Sequence, residues 1–178
     1  VLSADLYAGE YYDANKQIKN WNCADFMDSE WTSCMEANYG YENLVSQIGE
    51  PVVIVKELPV SRLTKSPKGE WILDFGQNIA GFVRMKVNAP KGTQITLEHC
   101  EILDKQGNFF NNIQGAGGVG KGVDQKDVYV CDGTSATYEP HFTYHGFRYV
   151  RVTGIEPKAE DFTACVVSTE KENLGTFK

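Results

Sequence analysis

The chain has 178 residues, of which 42% are hydrophobic and 23% charged, a composition that excludes a mainly disordered chain. Its 17 Lys and Arg against 24 Asp and Glu give a net charge of −7, which argues against nucleic-acid binding because that function needs a basic face. No apolar run approaches the roughly 20 residues that span a bilayer. Because the chain begins with Val1 instead of Met and starts at once on strand-like residues, we expect it to be a piece of a longer protein.

The first 50 residues are irregular in pattern and rich in polar and aromatic side chains. They predict an outer strand followed by connecting segments. Residues 41–48 are the best helix candidate in the chain, and Gly49 and Pro51 would stop that helix. The continuously apolar run 51–58 then predicts a strand in the interior of a sandwich.

Alternation of apolar and polar residues dominates the rest of the chain and predicts half-buried strands. The clearest run is 93–101, which places Ile95, Leu97 and His99 on one face. Turn sequences rich in Gly, Pro and Asp separate the runs. Many short strands joined in this way predict an all-β fold, an antiparallel two-sheet jelly-roll β-sandwich. The other predicted strands are 71–73, 83–87, 127–131, 149–153 and 162–167.

A glycine-dense stretch, residues 115–122, predicts a flexible hairpin tip. Gly115, Gly117 and Gly120 fit G-x-G-x-x-G, and the stretch nearly fits a phosphate-binding loop, but Gly122 stands where Ser or Thr is needed. Both motifs also require a helix after the glycines, whereas a strand is predicted here. The sequence therefore argues against nucleotide binding.

No complete active site is recognisable among the acidic residues and histidines. A glycosidase needs two carboxylates about 5–10 Å apart across a cleft, but Glu98 and Glu101 have opposite parity on one strand and would face opposite sides of a sheet. With Asp104, they are interpreted as a solvated strand edge and a turn aspartate. His141 and His145 flank an apolar pair with no nucleophile motif nearby, and they are interpreted as structural histidines.

The five cysteines are an odd number and form no C-x-x-C pair or metal-type spacing with the three histidines. They are interpreted as buried free thiols, with one disulfide left open as an alternative. Cys100 and Cys165 lie in apolar runs, where a thiol packs as a small hydrophobe. No metal and no other cofactor is predicted, although turn carboxylates such as Asp104 and Asp132 would permit Ca²⁺.

Two clusters of polar and aromatic residues stand out. Asp74, Gln77 and Asn78 directly follow a predicted strand, and residues 140–149 form an unusually aromatic strand region with a glycine kink. Because buried polar groups must be paired, Asp74 and Arg148 are predicted to hold each other or to cap loops. The alternative is that they bind a sugar, with aromatic rings stacked on its apolar face.

Four ordered motifs cover nearly the whole chain. They are GEYYDA at 9–14 with Trp21, DFGQNIAG at 74–81, HCEILD at 99–104 with Gly107-Asn108, and FTYHGFRYV at 142–150. In this order they resemble the non-catalytic β-sandwich region of bacterial α-L-rhamnosidases. The insertion at 115–126 departs from the resemblance, because the family usually passes sooner into its next strand.

The resemblance implies a galactose-binding or concanavalin-like β-sandwich, with residues 1–14 as the tail of a preceding N-terminal sandwich domain and 15–178 as the concanavalin-like domain. In that family, acidic residues of a following (α/α)6 barrel hydrolyse terminal α-L-rhamnosyl bonds with inversion. The chain is therefore expected to support that barrel and to be inactive alone. The implied partners are the barrel and the N-terminal domain of the same parent chain, with no nucleic acid or membrane, in the periplasm or outside the cell.

A second interpretation is a carbohydrate-binding module for rhamnose-containing glycans, since exposed aromatic rings stack on sugars. A stand-alone lectin is a third, and it requires that the gene end near Lys178. Under the leading interpretation the polar candidates are structural and fix strand ends and loops. The candidate carbohydrate-binding residues are Tyr12, Trp21, Trp31, Asp74, Gln77, Asn78 and Arg148.

Overall fold

The computed structural model of the protein describes residues 1–111, 124–171 and 174–177. The glycine stretch 115–122, predicted as a hairpin tip, lies outside the described residues. Among the residues that are described, no helix combines the length and the apolar character needed to cross a membrane.

Nearly all of the regular structure is β-strand, as the sequence predicts. The two helices described are single 3-10 turns at Ala14–Lys16 and Ala159–Asp161. Within the described ranges the strands are β1 (Ser3–Asp5), β2 (Gly9–Asp13), β3 (Val52–Pro59), β4 (Arg62–Lys65), β5 (Trp71–Val87), β6 (Gln94–Cys100), β7 (Lys126–Val130), β8 (Ala136–Tyr138), β9 (His145–Thr153) and β10 (Phe162–Thr169).

The strands hydrogen-bond in the order β1-β2-β7-β6-β9-β5-β10-β3, with β4 and β8 each paired to β5. Among these strand pairs only β2 with β7 is parallel, and the others are antiparallel. The long stretch of chain between β2 and β7 leaves the direction of β2 free, because only a tight turn forces antiparallel pairing. The predicted all-β jelly-roll sandwich is confirmed, with this one parallel pair as the difference.

Strand β5 changes partners part-way along its 17 residues. Its register against β9 shifts between Asp74 and Ile79, and Gly76 in this bulge has φ +78°, a left-handed conformation that favours glycine. Before the bulge β5 pairs with β4, and after it with β10 and β8. The single strand β5 therefore connects β4, on one side of the bulge, to β10 and β8 on the other.

The core lies around the central strands β6, β9 and β5. Ile95, Leu97 and His99 are at most 1% exposed, which confirms their predicted shared face as an interior one. Cys100, on the other face of β6, is also fully buried, because β6 is covered on both sides. The five cysteines are free thiols, so the alternative of one disulfide is not realised. The prediction that they are buried holds for three of them and is wrong for Cys23 and Cys34, which lie on the exposed segment 17–51.

Residues 17–51 contain no strand or helix, and all of them except Phe26 are exposed. The helix predicted over 41–48 is wrong. Leu44, Val45 and Ile48 are 74%, 84% and 98% exposed, so no neighbouring element covers the apolar side of such a helix. A helix this short is marginal in water without tertiary packing.

Candidate functional site

The ion pair of Asp74 and Arg148 links β5 to β9 immediately before the β5 bulge. Arg148 Nε donates to Asp74 Oδ1 at 2.8 Å, and a terminal Arg148 nitrogen donates to Oδ2 at 3.1 Å. The Gly76 N–H also donates to Oδ1, at 2.7 Å. Burial alone would raise the pKa of Asp74, but these hydrogen bonds outweigh it and hold the pKa below its ordinary value. The two residues hold each other, as one of the sequence-based alternatives predicts.

Gln77 and Asn78 lie just beyond this pair and are exposed. Asn78 Nδ2 donates to Glu101 Oε1 at 3.4 Å. The bulge thus presents two amide side chains to solvent beside a buried carboxylate that is already paired.

A second network joins Arg151 to two carboxylates. Arg151 Nε donates to Glu98 at 2.8 Å and a terminal nitrogen donates to Glu70 at 2.6 Å. Glu70 also accepts the Ser66 hydroxyl and the Phe109 N–H, and its pKa is lowered by these bonds despite burial, which acts to raise it. The predicted solvated edge at Glu98 is therefore an ion pair across β6 and β9.

Asp104 is a turn residue, as predicted. Its Oδ1 accepts the backbone N–H groups of Gln106 and Asn108 at 2.9 and 2.8 Å. The hydrogen bonds to Asn108 are the main reason that the pKa of Asp104 lies below its ordinary value. This carboxylate organises a loop and is not aimed at Glu98 or Glu101 across a cleft.

The buried Glu10 carboxylate ties the N-terminal strand to the 138–142 segment. It is 1% exposed and accepts the Tyr138 hydroxyl at 2.9 Å and the N–H groups of His141 and Phe142 at 2.8 and 3.2 Å. The neighbouring Tyr12 ring lies parallel to His141 at 5.6 Å and packs against other tyrosines. Glu10 therefore accepts hydrogen bonds from a segment about 130 positions away in sequence. Tyr12, a predicted sugar-binding residue, packs in a cluster of aromatic rings.

Three buried polar residues meet at the centre of the sheet, on the neighbouring strands β7, β6 and β9. His145 Nε2 lies 3.1 Å from both carboxylate oxygens of Asp127. The rings of His99 and His145 stack with centroids 4.2 Å apart, and His99 Nδ1 lies 2.8 Å from the Gln125 carbonyl oxygen. The ligand-type atoms of the three side chains all lie within 4.8 Å of one another.

Burial governs the ionisation of this cluster. Loss of solvent, reinforced by His145, lowers the pKa of His99 to about 3, so its imidazole is neutral at pH 7. Burial would raise the pKa of Asp127, but the hydrogen bond from His145 and the Glu10 N–H keep it below its ordinary value. A buried carboxylate therefore stands beside a neutral histidine.

Comparison with known proteins gives consistent results over the whole chain. The bacterial α-L-rhamnosidase concanavalin-like domain matches residues 64–168, and the α-L-rhamnosidase N-terminal domain matches residues 1–56. The chain belongs to the bacterial α-L-rhamnosidase family. It comprises the non-catalytic N-terminal and concanavalin-like region of such proteins.

An α-L-rhamnosidase of Streptomyces avermitilis is 38% identical over 174 residues, which are 95% of this chain and 16% of the relative. The crystal structure of that organism's α-L-rhamnosidase complexed with L-rhamnose has a TM-score of 0.82 and 37% identity, covering 95% of this chain and 16% of that one. Native α-L-rhamnosidase from Aspergillus terreus has a TM-score of 0.84 and 32% identity, covering 96% and 20%. The chain thus spans a fifth or less of the relatives it matches.

The α-L-rhamnosidase region does not gather its seven predicted sugar-binding residues in one place. Tyr12 is on β2, and three strands separate it from Asp74 on β5. Trp21 and Trp31 are 59% and 49% exposed on the irregular segment. Among the described residues, no hydrogen bond or ring contact links either tryptophan to the Asp74–Arg148 pair. Sugar binding at these residues stays a prediction, as does the domain boundary after residue 14.

Sequence reasoning missed the two buried networks around Glu10 and Asp127. Their members are far apart in the chain: His99 and Asp127 are separated by 28 positions and Asp127 and His145 by 18. One signal was present, since Asp127 begins a run, Asp-Val-Tyr-Val, predicted as a half-buried strand. A charged residue at such a position implies a buried partner, but local spacing does not identify the partner.

Proposed function

We propose that the chain is a supporting β-sandwich of a larger α-L-rhamnosidase and is itself without catalysis. The observation that carries this proposal is the concanavalin-like match over residues 64–168, in a chain that spans only 16–20% of related α-L-rhamnosidases. In the parent protein, a separate catalytic domain would release terminal α-L-rhamnose, and this region would hold that domain in place.

The engagement of the carboxylates in the chain supports this assignment. Glycosidic hydrolysis needs an acid and a second carboxylate on opposite sides of the scissile bond. Glu98 and Glu70 are paired with Arg151, and Asp74 is paired with Arg148. Carboxylates committed to arginines in this way stabilise strands and are poorly suited to donate or accept a proton.

The irregular segment 17–51 supports packing on other domains of the parent chain, with the barrel and the N-terminal domain as the proposed partners. Trp21, Met35 and Ile48 are 59%, 90% and 98% exposed. Large exposed apolar patches mark interaction sites, and we propose that neighbouring domains cover these side chains in the parent protein.

Because rhamnosylated glycans are met outside the cytoplasm, we propose that the parent protein lies in the periplasm or outside the cell, which fractionation of the producing cells would test.

The test compares the 178-residue chain with the full-length parent on an aryl α-L-rhamnoside. We expect turnover by the parent and only the buffer rate with the chain. The control is a parent in which residues 17–51 are replaced by a polar linker, expected to keep chemistry but lose thermal stability. The proposal would be overturned if the isolated chain hydrolysed the substrate and this activity followed the chain through two chromatography columns.

A small pocket beside Tyr12 favours one second candidate function, carbohydrate binding. Its volume is about 180 Å³, and it combines aromatic rings with hydrogen-bonding side chains, as sugar sites do. Titrating L-rhamnose while following tryptophan and tyrosine fluorescence tests this function, and Gln17→Ala serves as the matched variant. A saturable change that this variant weakens supports binding, whereas no change up to tens of millimolar sugar favours the supporting role alone. Its lining residues are Tyr12, Gln17, Tyr129, Tyr138, Glu139 and His141, together with Ala136 and Thr137.

A further inference from the structure

The buried cluster of His99, Asp127 and His145 is not explained by the supporting role. The side chains of the two histidines are 0% exposed and that of Asp127 is 1% exposed. Polar side chains in a dry interior are expected to have all their donors and acceptors satisfied. Among the residues that the structure describes, none gives His99 Nε2 or His145 Nδ1, both buried, a hydrogen-bond partner.

The proton positions make the environment of His99 Nε2 unusual. The Gln125 carbonyl oxygen only accepts, so His99 Nδ1, at 2.8 Å, must carry the ring proton and donate it. Nε2 then presents a lone pair, and the nearby Asp127 Oδ2, at 3.9 Å, is also an acceptor. Among the described residues, no donor lies between these two acceptors, an arrangement that a bound cation would stabilise.

The separations fit ligands around one metal ion. For ligands about 2.0–2.1 Å from a tetrahedral ion, neighbouring donor atoms lie about 3.4 Å apart. The distances from Asp127 to His145 Nε2 and to His99 Nε2 are 3.1 and 3.9 Å and bracket this value. We propose that His99, Asp127 and His145 bind one divalent transition-metal ion, with zinc as the metal that this donor set suits.

The type of site follows from the donors and their burial. Two imidazoles and one carboxylate select zinc-like ions over Ca²⁺ and Mg²⁺, which prefer oxygen ligands. Asp127 supplies the third ligand through one carboxylate oxygen. No coordination position faces solvent, so the metal is structural and pins β7, β6 and β9 together.

Neighbouring groups already orient two of the three ligands, as is usual around protein-bound metals. The Gln125 carbonyl fixes the tautomer of His99, and the Glu10 N–H donates to Asp127 Oδ1 at 3.0 Å. For His145 to bind the ion through Nε2, its single ring proton moves to Nδ1, so the ligand stays a neutral imidazole. Binding weakens at low pH, because protons compete with the metal for the ligating atoms of the three side chains.

The experiment uses the untagged chain with Cys23→Ser and Cys34→Ser, because those two cysteines are exposed and would bind zinc themselves. After treatment with a chelator and dialysis, ZnCl₂ is added and bound metal is measured by mass spectrometry. We expect one zinc per chain, and a melting temperature raised by about 5–10 °C at a hundredfold excess over Kd. CaCl₂ is expected to give neither effect.

His99→Gln is expected to abolish both effects, and His141→Gln is the control. His141 is the third histidine of the chain, half-exposed and outside the cluster. If His99→Gln does not give the native circular dichroism spectrum, Co²⁺ replaces zinc in the unmutated cluster. We then expect the intense visible bands of a tetrahedral nitrogen and oxygen site without thiolate charge-transfer bands.

Two results would overturn the proposal. One is less than a tenth of a zinc per chain with an unchanged melting temperature, which means that the cluster binds no metal ion. The other is full zinc binding that persists in a folded His99→Gln variant, which places the metal elsewhere.

Discussion

Arg148 donates hydrogen bonds to both carboxylate oxygens of Asp74, at the point where β5 stops pairing with β4 and before it pairs with β10 and β8. The pair spans 74 positions of sequence, and its two hydrogen bonds measure 2.8 and 3.1 Å. Asp74 also anchors the Gly76 N–H, so the same carboxylate fixes the β5 bulge and the neighbouring strand. The pair therefore locks the bend in β5 in place.

Replacing Asp74 with Asn should reduce the free energy of unfolding by about 1–3 kcal/mol, because a bidentate ion pair becomes a single hydrogen bond from Arg148 to a neutral amide oxygen. Urea denaturation measures this loss. Arg84→Lys is the comparison, since Arg84 pairs with Glu57 and Glu139, whose side chains are 53% and 43% exposed. Exposed pairs contribute about 0–1 kcal/mol, and equal losses in the two variants would contradict the locking role of Asp74.

Acid should destabilise the protein partly through Glu70, whose pKa is lowered in the folded state. A group with a lowered folded pKa contributes stability that is present above its unfolded pKa, about 4.3. That contribution is lost as the pH falls through the folded pKa. Glu70→Gln should therefore flatten the fall in unfolding free energy below about pH 4, measured by urea titrations from pH 7 to 3. Removing the exposed Glu156 by Glu156→Gln is the control, and an unchanged slope in Glu70→Gln would refute the prediction.

Gly81→Ala should destabilise the protein by about 2–4 kcal/mol or prevent folding. A Cβ at residue 81 would collide with the Cys165 carbonyl oxygen of β10, and backbone cannot rotate away as a side chain can. Gly49→Ala is the matched control, since nothing lies within 4 Å of its added Cβ. Thermal melting of the two variants distinguishes them, and similar melting temperatures would show that β10 is free to move.

The native protein should expose two reactive thiols out of five. Cys23 and Cys34 are exposed, whereas Cys100, Cys131 and Cys165 are fully buried. Burial also raises the pKa of Cys100 to about 11, which leaves almost no thiolate at pH 8. Alkylation followed by peptide mass spectrometry should label two cysteines in the native state and five in urea. Native labelling of Cys100 would contradict the observed packing of β6.

The strands were predictable from the local pattern of apolar residues. Residues alternate in 93–101 where successive side chains point to opposite faces, and the runs 51–58 and 162–167 are apolar on both faces. The Asp74–Arg148 pair was predictable as one alternative, because each residue stands in a polar cluster flanking buried strands. The absence of a helix at 41–48 was not predictable, because a local apolar period does not show whether another element covers that segment. The His99–Asp127–His145 cluster depends on strand order, which no local spacing encodes.

The parallel pairing of β2 with β7 joins the two regions of the chain that match different family domains. β2 belongs to the N-terminal family match, residues 1–56, and β7 to the concanavalin-like match, residues 64–168, so one hydrogen-bonded sheet crosses from one to the other. A protein that starts at residue 15 would lack β2, so the edge of β7 would be exposed and could pair with another molecule. It would also lack the Glu10 carboxylate, which leaves the hydrogen-bond donors at 138–142 without their acceptor. Neither region can therefore be exchanged without changing the hydrogen-bonded sheet that the two share.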